Sequence, residues 1–389
     1  MFPSLFWAIL SVMPKTMKFR LKPTKKQARL LENQLEECRL LYNHFLADRK
    51  EAWEERQEPL SYYGQKATLP QLKAYCPALS KVHSQVLQDV SMRIDLAFKA
   101  FFRRCKAGEE PGYPRFRGYG RYDSMTFPQY GSGCQLTDGT LKLSKVGAVR
   151  VVQHRPLEGI PKTCTIRRRS TGKWYVTIAC EVDTQPLPST GESVGIDMGL
   201  LSFATLSTGE STPCPKFLRT DEHDLKRTQR KLSAAPKGTP ERRKRRKIVG
   251  RVHERIANRR HNFAHQESRK IVNRFDIIAV EDLSVNQMVH NHCLAKSIHD
   301  AAWSQFTANL TYKAAYAGKR VIAVNPAYTS QDCSQCRHRQ KKTLAERIHH
   351  CVCCGLTLDR DHNAALNIKR LGLQSLGLSL EAPACMPGE

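Results

Sequence analysis

Four cysteines near the carboxyl end have the spacing of a zinc site. Cys333 and Cys336 form one C-x2-C pair, Cys351 and Cys354 form a second, and fourteen residues separate the pairs. Each pair can present two thiolates from a tight turn to one tetrahedral zinc ion. Because four thiolates leave no coordination position open, the spacing predicts one structural zinc and not a catalytic one.

Other zinc ligands lie close by in the sequence. Cys353 lies inside the second pair, and His349 and His350 come directly before it. The regular spacing favours Cys351 with Cys354 over these substitutes. Four unrelated buried thiols are the alternative to a metal site.

Three acidic residues lie where a fold could bring them together. Asp197 and Glu281 each end an apolar stretch, and Asp361 lies in the first turn of the helix predicted for "LDRDHNAALNIKRLG". Taken singly, a strand-end acid is usually a solvated loop residue, and the Asp-Arg-Asp run fits a helix N-cap. Taken together, the three predict a cluster that binds catalytic metal ions, with Asp359 as the alternative to Asp361.

The stretches that carry these acids have the pattern of buried strands. "ESVGIDMGLLSFATLSTG" predicts two strands joined at Met198 and Gly199, and "RFDIIAVEDLSV" predicts a third strand that delivers Glu281 at its carboxyl end. The Pro- and Ser-rich "DTQPLPSTGES" precedes them and predicts a domain boundary near residue 190.

The first half of the chain combines strands and helices. "TMKFRLKPT" predicts a strand, residues 25–104 carry apolar residues at helical spacing and predict two or more helices, and residues 139–182 predict a small β-barrel or sheet. Between the last two, "PGYPRFRGYGRYDSMTFPQY" interleaves Arg with Tyr and Phe. This stretch is either a loop with aromatic anchors or a nucleic-acid surface that uses stacking and phosphate contacts.

The charge of the chain indicates a polyanionic partner. Lys and Arg number 63 against 36 Asp and Glu, a formal net charge of +27, which favours nucleic acid. No run of about 18 apolar residues is present, so a membrane-spanning helix is excluded. The most basic segment, residues 226–274, predicts an amphipathic helical hairpin with a basic outer face. Its apolar face would contain Ile248, Val252, Ile256, Phe263 and Ile271.

The amino end and the remaining cysteines bear on location. The apolar lead before Met13 and Met17 lacks a basic n-region and a small-residue cleavage site, so an upstream start-codon misassignment explains it better than a secretory signal. Of the 14 cysteines, those outside the zinc motif are scattered singly, which fits a reducing cytosol. We therefore expect a cytoplasmic or nucleoid protein that is not secreted.

An ordered set of motifs resembles one known family. "GIDMGL", "AVEDL", "NPAYTSQDCSQC", "CVCCG" and "DRDHNAALNI", with "RLLYNHFLADR" and "PGYPRFR" nearer the amino end, look like the TnpB family of transposon-encoded RNA-guided DNA endonucleases. The resemblance extends from Met17 to about Leu371. It departs from the family pattern at Cys353, where Pro is common, and at Met198.

The resemblance implies a multidomain α/β plus all-β fold. A wedge-like β-barrel (residues 17–24 and 108–185) would contain an inserted helical recognition region (25–107). A RuvC-like nuclease domain of RNase H fold (192–329 and 357–372) would be interrupted by a zinc ribbon (330–356). Residues 1–16 would be a non-native or disordered extension, and residues 373–389 a flexible tail.

The resemblance also implies a reaction and partners. The expected activity is guide-RNA-directed cleavage of double-stranded DNA beside a short transposon-associated motif, with two Mg²⁺ ions, or Mn²⁺, held by Asp197, Glu281 and Asp361. A strand-transferring transposase and a non-catalytic RNA-guided DNA-binding regulator are the alternatives. The candidate nucleic-acid contacts are Tyr63, Gln88, Arg115, Arg117, Arg242, Arg243, Arg245, Arg246, Arg259 and Arg260.

Overall fold

The computed structural model of the chain describes residues 12–343 and 346–378. These residues form two compact units that divide between Asp183 and Thr184, inside the linker where a boundary was predicted near residue 190. The predicted flexible tail of residues 373–389 begins differently, because a helix continues to Ser375 and buries Leu373; residues 379–389 lie outside the described residues.

The first unit contains a seven-stranded antiparallel sheet with the order β2-β6-β7-β1-β5-β4-β3. Its edge strands β2 and β3 follow each other along the chain. The segment between them bonds to both sides, since the Tyr130 N–H donates to the Lys162 carbonyl of β6 at 2.8 Å and the Gly131 N–H to the Cys134 carbonyl of β3 at 2.9 Å, so the sheet curls into a nearly closed barrel. Alternating apolar residues such as Met17, Phe19 and Leu21 face its core. The strands are β1 (Val12–Lys22), β2 (Ser124–Phe127), β3 (Cys134–Thr137), β4 (Thr140–Leu143), β5 (Gly147–Val152), β6 (Ile160–Arg168) and β7 (Trp174–Asp183).

The start of β1 differs from the predicted amino-terminal extension. Residues 12–16 were expected to be non-native or disordered, yet Val12 pairs with Asp183 and Thr16 with Ala179 in the ladder between β1 and β7. The backbone hydrogen bonds of that ladder explain why the strand continues before Met17. Residues 1–11 lie outside the described residues.

Helices follow β1, as the apolar spacing predicted. Thr24 and Gln27 form a capping box that starts the first helix, and the long first and fourth helices pack through buried residues such as Phe45 and Ile94. The helices are α1 (Lys25–Arg56), α2 (Tyr62–Ala67), α3 (Leu69–Tyr75) and α4 (Ser84–Lys106), with a short 3-10 helix at Pro77–Lys81.

The second unit is built on a five-stranded mixed sheet with the order β10-β9-β8-β11-β12. Strand β11 pairs in parallel with β8 and with β12. Phe203, Phe263 and Phe306 make edge-to-face contacts in its core. The strands are β8 (Ser193–Asp197), β9 (Ser202–Leu206), β10 (Ser211–Pro213), β11 (Ile277–Glu281) and β12 (Arg320–Val324), and a two-stranded ribbon consists of β13 (Ile348–His350) and β14 (Thr357–Asp359).

Six helices accompany this sheet among the described residues. The predicted basic hairpin is present as α5 (Phe217–Ala234) and α6 (Pro240–Arg274). Val252, Ile256 and Ile271 are buried as expected, but Val249 is buried in place of the half-buried Ile248. The other helices are α7 (Val285–Met288), α8 (His292–Ala301), α9 (Trp303–Tyr316) and α10 (Arg360–Ser375).

Two glycines allow α10 to lie directly against the sheet. A Cβ atom at Gly195 of β8 would come within 2.1 Å of the Ala365 carbonyl oxygen, and one at Gly372 within 2.5 Å of the Ala279 Cβ. Any larger residue at these positions would push the helix away from the strands. The close approach brings the start of α10 towards the carboxyl ends of β8 and β11.

Within the residues described, no helix is both long and apolar enough to cross a membrane.

Candidate functional site

The fold places the three predicted acids at one edge of the second unit's sheet. Asp197 is the last residue of β8 and Glu281 the last residue of β11. These strands are parallel and Ile196 pairs with Val280, so both acids leave the sheet at the same level. Asp361 is the second residue of α10, which packs on both strands. The predicted convergence of two strand ends and one helix start is therefore present.

The three carboxyl groups influence one another electrostatically. Burial, together with the carboxylates of Glu281 and Asp361, raises the pKa of Asp197 to about 8, against the opposing effect of the Arg360 guanidinium. Burial also raises the pKa of Glu281, against a hydrogen bond from Thr329, while Asp361 adds to the increase. Buried, mutually repelling carboxylates favour bound protons or bound cations.

Thr329 holds the carboxylate of Glu281. Its hydroxyl donates a 2.8 Å hydrogen bond to Glu281 Oε1, and both residues are buried. The Thr329 carbonyl in turn accepts a 2.9 Å hydrogen bond from the side-chain amide of Asn367 on α10. The orientation of Glu281 therefore depends on a loop that α10 fixes.

Asp359 and Asp361 have different roles at the start of α10. Asp359 is exposed and caps the helix, since its Oδ1 accepts from the backbone N–H groups of Asp361 at 2.9 Å and His362 at 3.1 Å. Asp361 is half-buried and interacts with Arg360 at 3.2 Å. The N-cap interpretation of the Asp-Arg-Asp run thus applies to Asp359, which leaves Asp361 for the acid cluster.

The four predicted cysteines form a compact cluster. The sulfur atoms of Cys333, Cys336, Cys351 and Cys354 all lie within 4.8 Å of one another. Across residues 12–343 and 346–378, this is the only group of three or more His, Cys, Asp or Glu side chains whose ligand atoms lie so close. Four converging sulfurs are the donor set of a structural zinc site. The carboxylate oxygens of Asp197, Glu281 and Asp361 do not all lie within that distance of one another.

The alternative zinc ligands are placed elsewhere. Cys353 is exposed and lies outside the cluster, and the buried His349 ring interacts with the Lys342 ammonium through Nδ1. Burial alone would raise the pKa of Cys351, but hydrogen bonds from the backbone N–H groups of Cys354 and Cys353 and from neighbouring thiols outweigh it and lower the pKa to about 6. Burial and the neighbouring thiols raise the pKa values of Cys333 and Cys336, so a thiolate that could bind zinc forms more readily at Cys351 than at those two cysteines.

The segment that carries the four cysteines (residues 330–356, the cysteine module) is attached to α10, the helix that carries Asp361. The Asn363 side chain accepts from the Ser334 N–H at 2.9 Å and donates to the Asp332 carbonyl at 2.8 Å. On the other side of the module, Arg360 donates to the Glu346 carbonyl at 3.1 Å. The first cysteine knuckle and the acid cluster therefore share α10 as their support.

The predicted contact arginines of the basic hairpin divide into two groups. Arg242 donates to the carbonyls of Leu232 at 2.9 Å and Ala235 at 2.5 Å, so it caps the end of α5. Arg259 pairs with the buried Asp221 at 3.1 Å and Arg260 with the buried Asp300 at 2.7 Å.

The other three members of that set face solvent to a greater extent. Arg243 and Arg246 are exposed, while the half-buried Arg245 pairs with Glu241 at 2.6 Å. The sequence grouped all six arginines as contacts. In the structure Arg242 satisfies two carbonyls and Arg259 and Arg260 each pair with a buried carboxylate, so these three also hold the hairpin, whereas Arg243 donates to the Gly238 carbonyl at 3.4 Å.

The remaining candidate contacts lie in the first unit. Tyr63 in α2 is 76% exposed and Gln88 on α4 is half-buried. Arg115 and Arg117 are exposed on the loop after α4.

Sequence reasoning missed the residues that orient the site. Thr329, Asn363 and Asn367 are buried polar residues whose hydrogen bonds connect α10, the cysteine module and Glu281. The sequence indicates part of this network, because Asn363 and Asn367 are four residues apart on the predicted helix and therefore lie on the same face.

Three family models match successive parts of the chain. Residues 13–58 match a family described as "Helix-turn-helix domain", residues 177–292 one described as "Probable transposase" (OrfB_IS605), and residues 303–368 one described as "Cas12f1-like, TNB domain". The chain is 36% identical over 368 residues to a "Putative RNA-guided DNA endonuclease" of Streptomyces pristinaespiralis, covering 92% of this chain and 89% of the relative.

A second relative and a solved structure extend this similarity. The chain is 30% identical over 377 residues to the "Putative RNA-guided DNA endonuclease InsQ" of Escherichia coli, covering 92% of each chain. The protein in a structure of a Cas12f1-sgRNA-target DNA complex superimposes with a TM-score of 0.59 at 13% identity, over 92% of this chain and 99% of that one. At this identity the structural likeness concerns the fold alone.

Proposed function

The chain belongs to the TnpB family of transposon-associated proteins, and on that premise we propose that it is an RNA-guided, metal-dependent DNA endonuclease. The observation that carries the proposal is the convergence of Asp197, Glu281 and Asp361 at one sheet edge, where burial and mutual repulsion raise the pKa of Asp197 to about 8. Such a cluster suits cation binding beside a phosphodiester.

The acids would hold two divalent cations, Mg²⁺ or in its place Mn²⁺. When bound, these ions supply an activated water and stabilise the leaving oxygen of the phosphodiester. Asp197 and Glu281 provide carboxylates from a rigid sheet, Thr329 fixes one oxygen of Glu281, and α10 delivers Asp361. The cysteine cluster would hold a separate structural zinc. This ion would fix the position of the Thr329 loop relative to α10.

The fold suggests a domain assignment. The barrel-like sheet of the first unit corresponds to the wedge-like domain (17–24 and 108–185), and α1 to α4 correspond to the inserted recognition region (25–107). The mixed sheet of the second unit corresponds to the RuvC-like nuclease domain (192–329 and 357–372), with the cysteine module as its zinc ribbon (330–356). Similarity of fold to the Cas12f1 protein supports this assignment.

Guide RNA and target double-stranded DNA are the proposed partners. The net charge of +27 and the exposed arginines of α6 supply phosphate contacts. Base pairing between guide and target would select the cleavage site, while the protein reads a short adjacent motif.

The decisive experiment is programmed cleavage. Protein expressed with its flanking transposon DNA is purified and the retained RNA is sequenced. That RNA is then given a new guide segment, and Mg²⁺-dependent cutting of a matched plasmid is measured against a mismatched one. Cutting of the matched plasmid alone supports the proposal, whereas strand joining without RNA would favour a transposase and RNA-dependent binding without cutting would favour a regulator.

A further inference from the structure

A cavity lies in the first unit, whereas the acids and the cysteine cluster belong to the second. Its volume is about 350 Å³, and its lining comes from α1, from α4 and from the loop that follows α4. This volume is at the lower end of the roughly 300–1,000 Å³ typical of small-ligand sites. It therefore suits one small ligand or one monomer of a polymer.

The charge of the lining selects an anionic ligand. Arg104, Arg115 and Arg117 line the cavity, and no carboxylate is among its lining residues. In the part of the chain that the structure describes, none of these three guanidinium groups forms a salt bridge with a carboxylate. Guanidinium groups bind phosphate oxygens through paired N–H donors, so the cavity has the chemistry of a phosphate site.

The aromatic part of the lining selects a ligand with a planar ring. The Arg117 guanidinium lies over the Tyr42 ring, 5.5 Å from its centroid. Tyr113 makes edge-to-face contacts with Phe98 and Phe101, each at 5.5 Å between ring centroids. These contacts fix the orientation of the Tyr113 ring although 45% of the residue is exposed. Nucleobases stack on such tyrosine and arginine planes.

The cavity is held open by specific hydrogen bonds. The Asn43 side chain bonds both backbone groups of Arg117, accepting from its N–H at 2.8 Å and donating to its carbonyl at 3.0 Å. Arg39 donates to the same carbonyl at 2.9 Å. The loop therefore keeps its shape without a ligand, which lowers the entropic cost of binding.

We propose that this cavity binds one unpaired nucleotide of the RNA that the protein carries, an inference that rests on the proposed RNA-guided function. The base would stack on the exposed Tyr113 ring and on the Arg117 guanidinium plane, which itself packs on the buried Tyr42, and its phosphate would contact Arg104 and Arg115. A paired base has both faces covered by its neighbours in the helix and cannot enter, whereas folded RNA offers splayed nucleotides in loops and bulges.

The test measures affinity for the purified guide RNA in the absence of DNA. Gly112→Leu fills the cavity without removing a charge, because a Cβ there meets nothing closer than Arg115 Nη2 at 3.8 Å. Arg115→Gln removes one phosphate contact from an exposed side chain. Each variant should bind RNA roughly tenfold more weakly than wild type. Tyr75→Ala, which alters an 89% exposed tyrosine outside the cavity, is the matched control and should bind as wild type does.

Nuclease footprinting of the RNA gives the second measurement. One unpaired nucleotide should be protected by wild type and by Tyr75→Ala, and exposed in Gly112→Leu. Wild-type RNA affinity in both cavity variants would overturn the proposal while leaving RNA-guided cleavage intact. Unchanged RNA affinity with weakened DNA binding would overturn it in favour of a DNA strand. Absence of RNA binding by wild type would instead refute the proposed function.

Discussion

Thr329 Oγ1 donates a 2.8 Å hydrogen bond to Glu281 Oε1, and both side chains are buried. A hydrogen bond to a charged group contributes roughly 1.5–3 kcal/mol. Glu281 ends β11, whereas Thr329 lies on the loop that leads into the first cysteine knuckle. The bond therefore connects one proposed metal ligand to the zinc module.

Replacing Thr329 with Val should weaken cleavage by roughly tenfold, because the Glu281 carboxylate loses its fixed orientation. The Mg²⁺ concentration for half-maximal cleavage should rise in parallel. Thr329→Ser keeps the hydroxyl and should restore both values. Thr311→Val, which removes an exposed hydroxyl that donates to the Thr307 carbonyl, is the control. Equal Mg²⁺ dependence in Thr329→Val and wild type would remove the positioning role.

Single replacement of Asp197, Glu281 or Asp361 by Ala should abolish DNA cleavage and leave guide and target binding largely intact. Losing one ligand displaces a metal ion, whereas binding depends on many phosphate contacts. Cleavage and gel-shift assays on the same preparations measure the two effects.

Asp359→Ala is the matched control for this series. It removes the N-cap of α10 and should cost about 1 kcal/mol of stability while cleavage persists at permissive temperature. Full cleavage by Asp361→Ala together with loss in Asp359→Ala would exchange the roles of the two residues.

Asp197 and Glu281 could be predicted from the sequence because each buried strand is visible as an apolar run, and the acid is the residue that ends the run. Parallel pairing then aligns the ends of β8 and β11, whatever the details of the loops. The cysteines could be predicted because ligand spacing is a local property.

The side-chain contacts between elements that are distant in sequence could not be predicted from local patterns. Arg242 and Arg260 look like any exposed helical arginine in the sequence, yet one caps α5 and the other pairs with Asp300. The Leu232 carbonyl is ten residues away from Arg242, and Asp300 is forty residues away from Arg260. Burial of Val249 in place of Ile248 has a similar origin, since the packing partners of α6 decide which edge of the apolar face is covered.

The purified protein should contain about one zinc per chain, consistent with a single four-thiolate site. Cys333→Ser should lose the metal and destabilise the second unit, because zinc binding is coupled to local folding. Cys353→Ser should retain it, since that residue lies outside the cluster. Elemental analysis decides both, and loss of zinc from Cys353→Ser with retention in Cys351→Ser would reverse the ligand assignment.

In the magnesium-free protein, the contribution of Asp197 to the free energy of unfolding should fall as the pH rises from about 4 to 8. Burial and the neighbouring carboxylates raise the pKa of Asp197 to about 8 in the folded chain, against about 3.9 in an unfolded one. The folded state therefore binds more protons within that window, so the free energy of unfolding falls as the pH rises.

Asp197→Asn removes this titration and should raise the melting temperature at pH 8 more than at pH 5. Added Mg²⁺ should stabilise wild type at pH 8 but the variant much less. Asp138→Asn, at an exposed turn with φ of 47°, is the control for a change of charge alone. A melting-temperature difference independent of pH would contradict the assigned environment of Asp197.

The exposed arginines of α6 should contribute to binding by neutralising phosphates. The double variant Arg243→Gln and Arg246→Gln should weaken nucleic-acid binding by the assembled complex. It should also flatten the slope of log affinity against log salt by up to roughly 0.9 for each duplex phosphate that the variant no longer neutralises. Sequence preference should stay the same, because phosphate contacts carry no base information.

Arg242→Gln separates this effect from folding, since it should lower the melting temperature by uncapping α5. Salt titrations with identical slopes and affinities in wild type and the double variant would mean that this face only meets solvent.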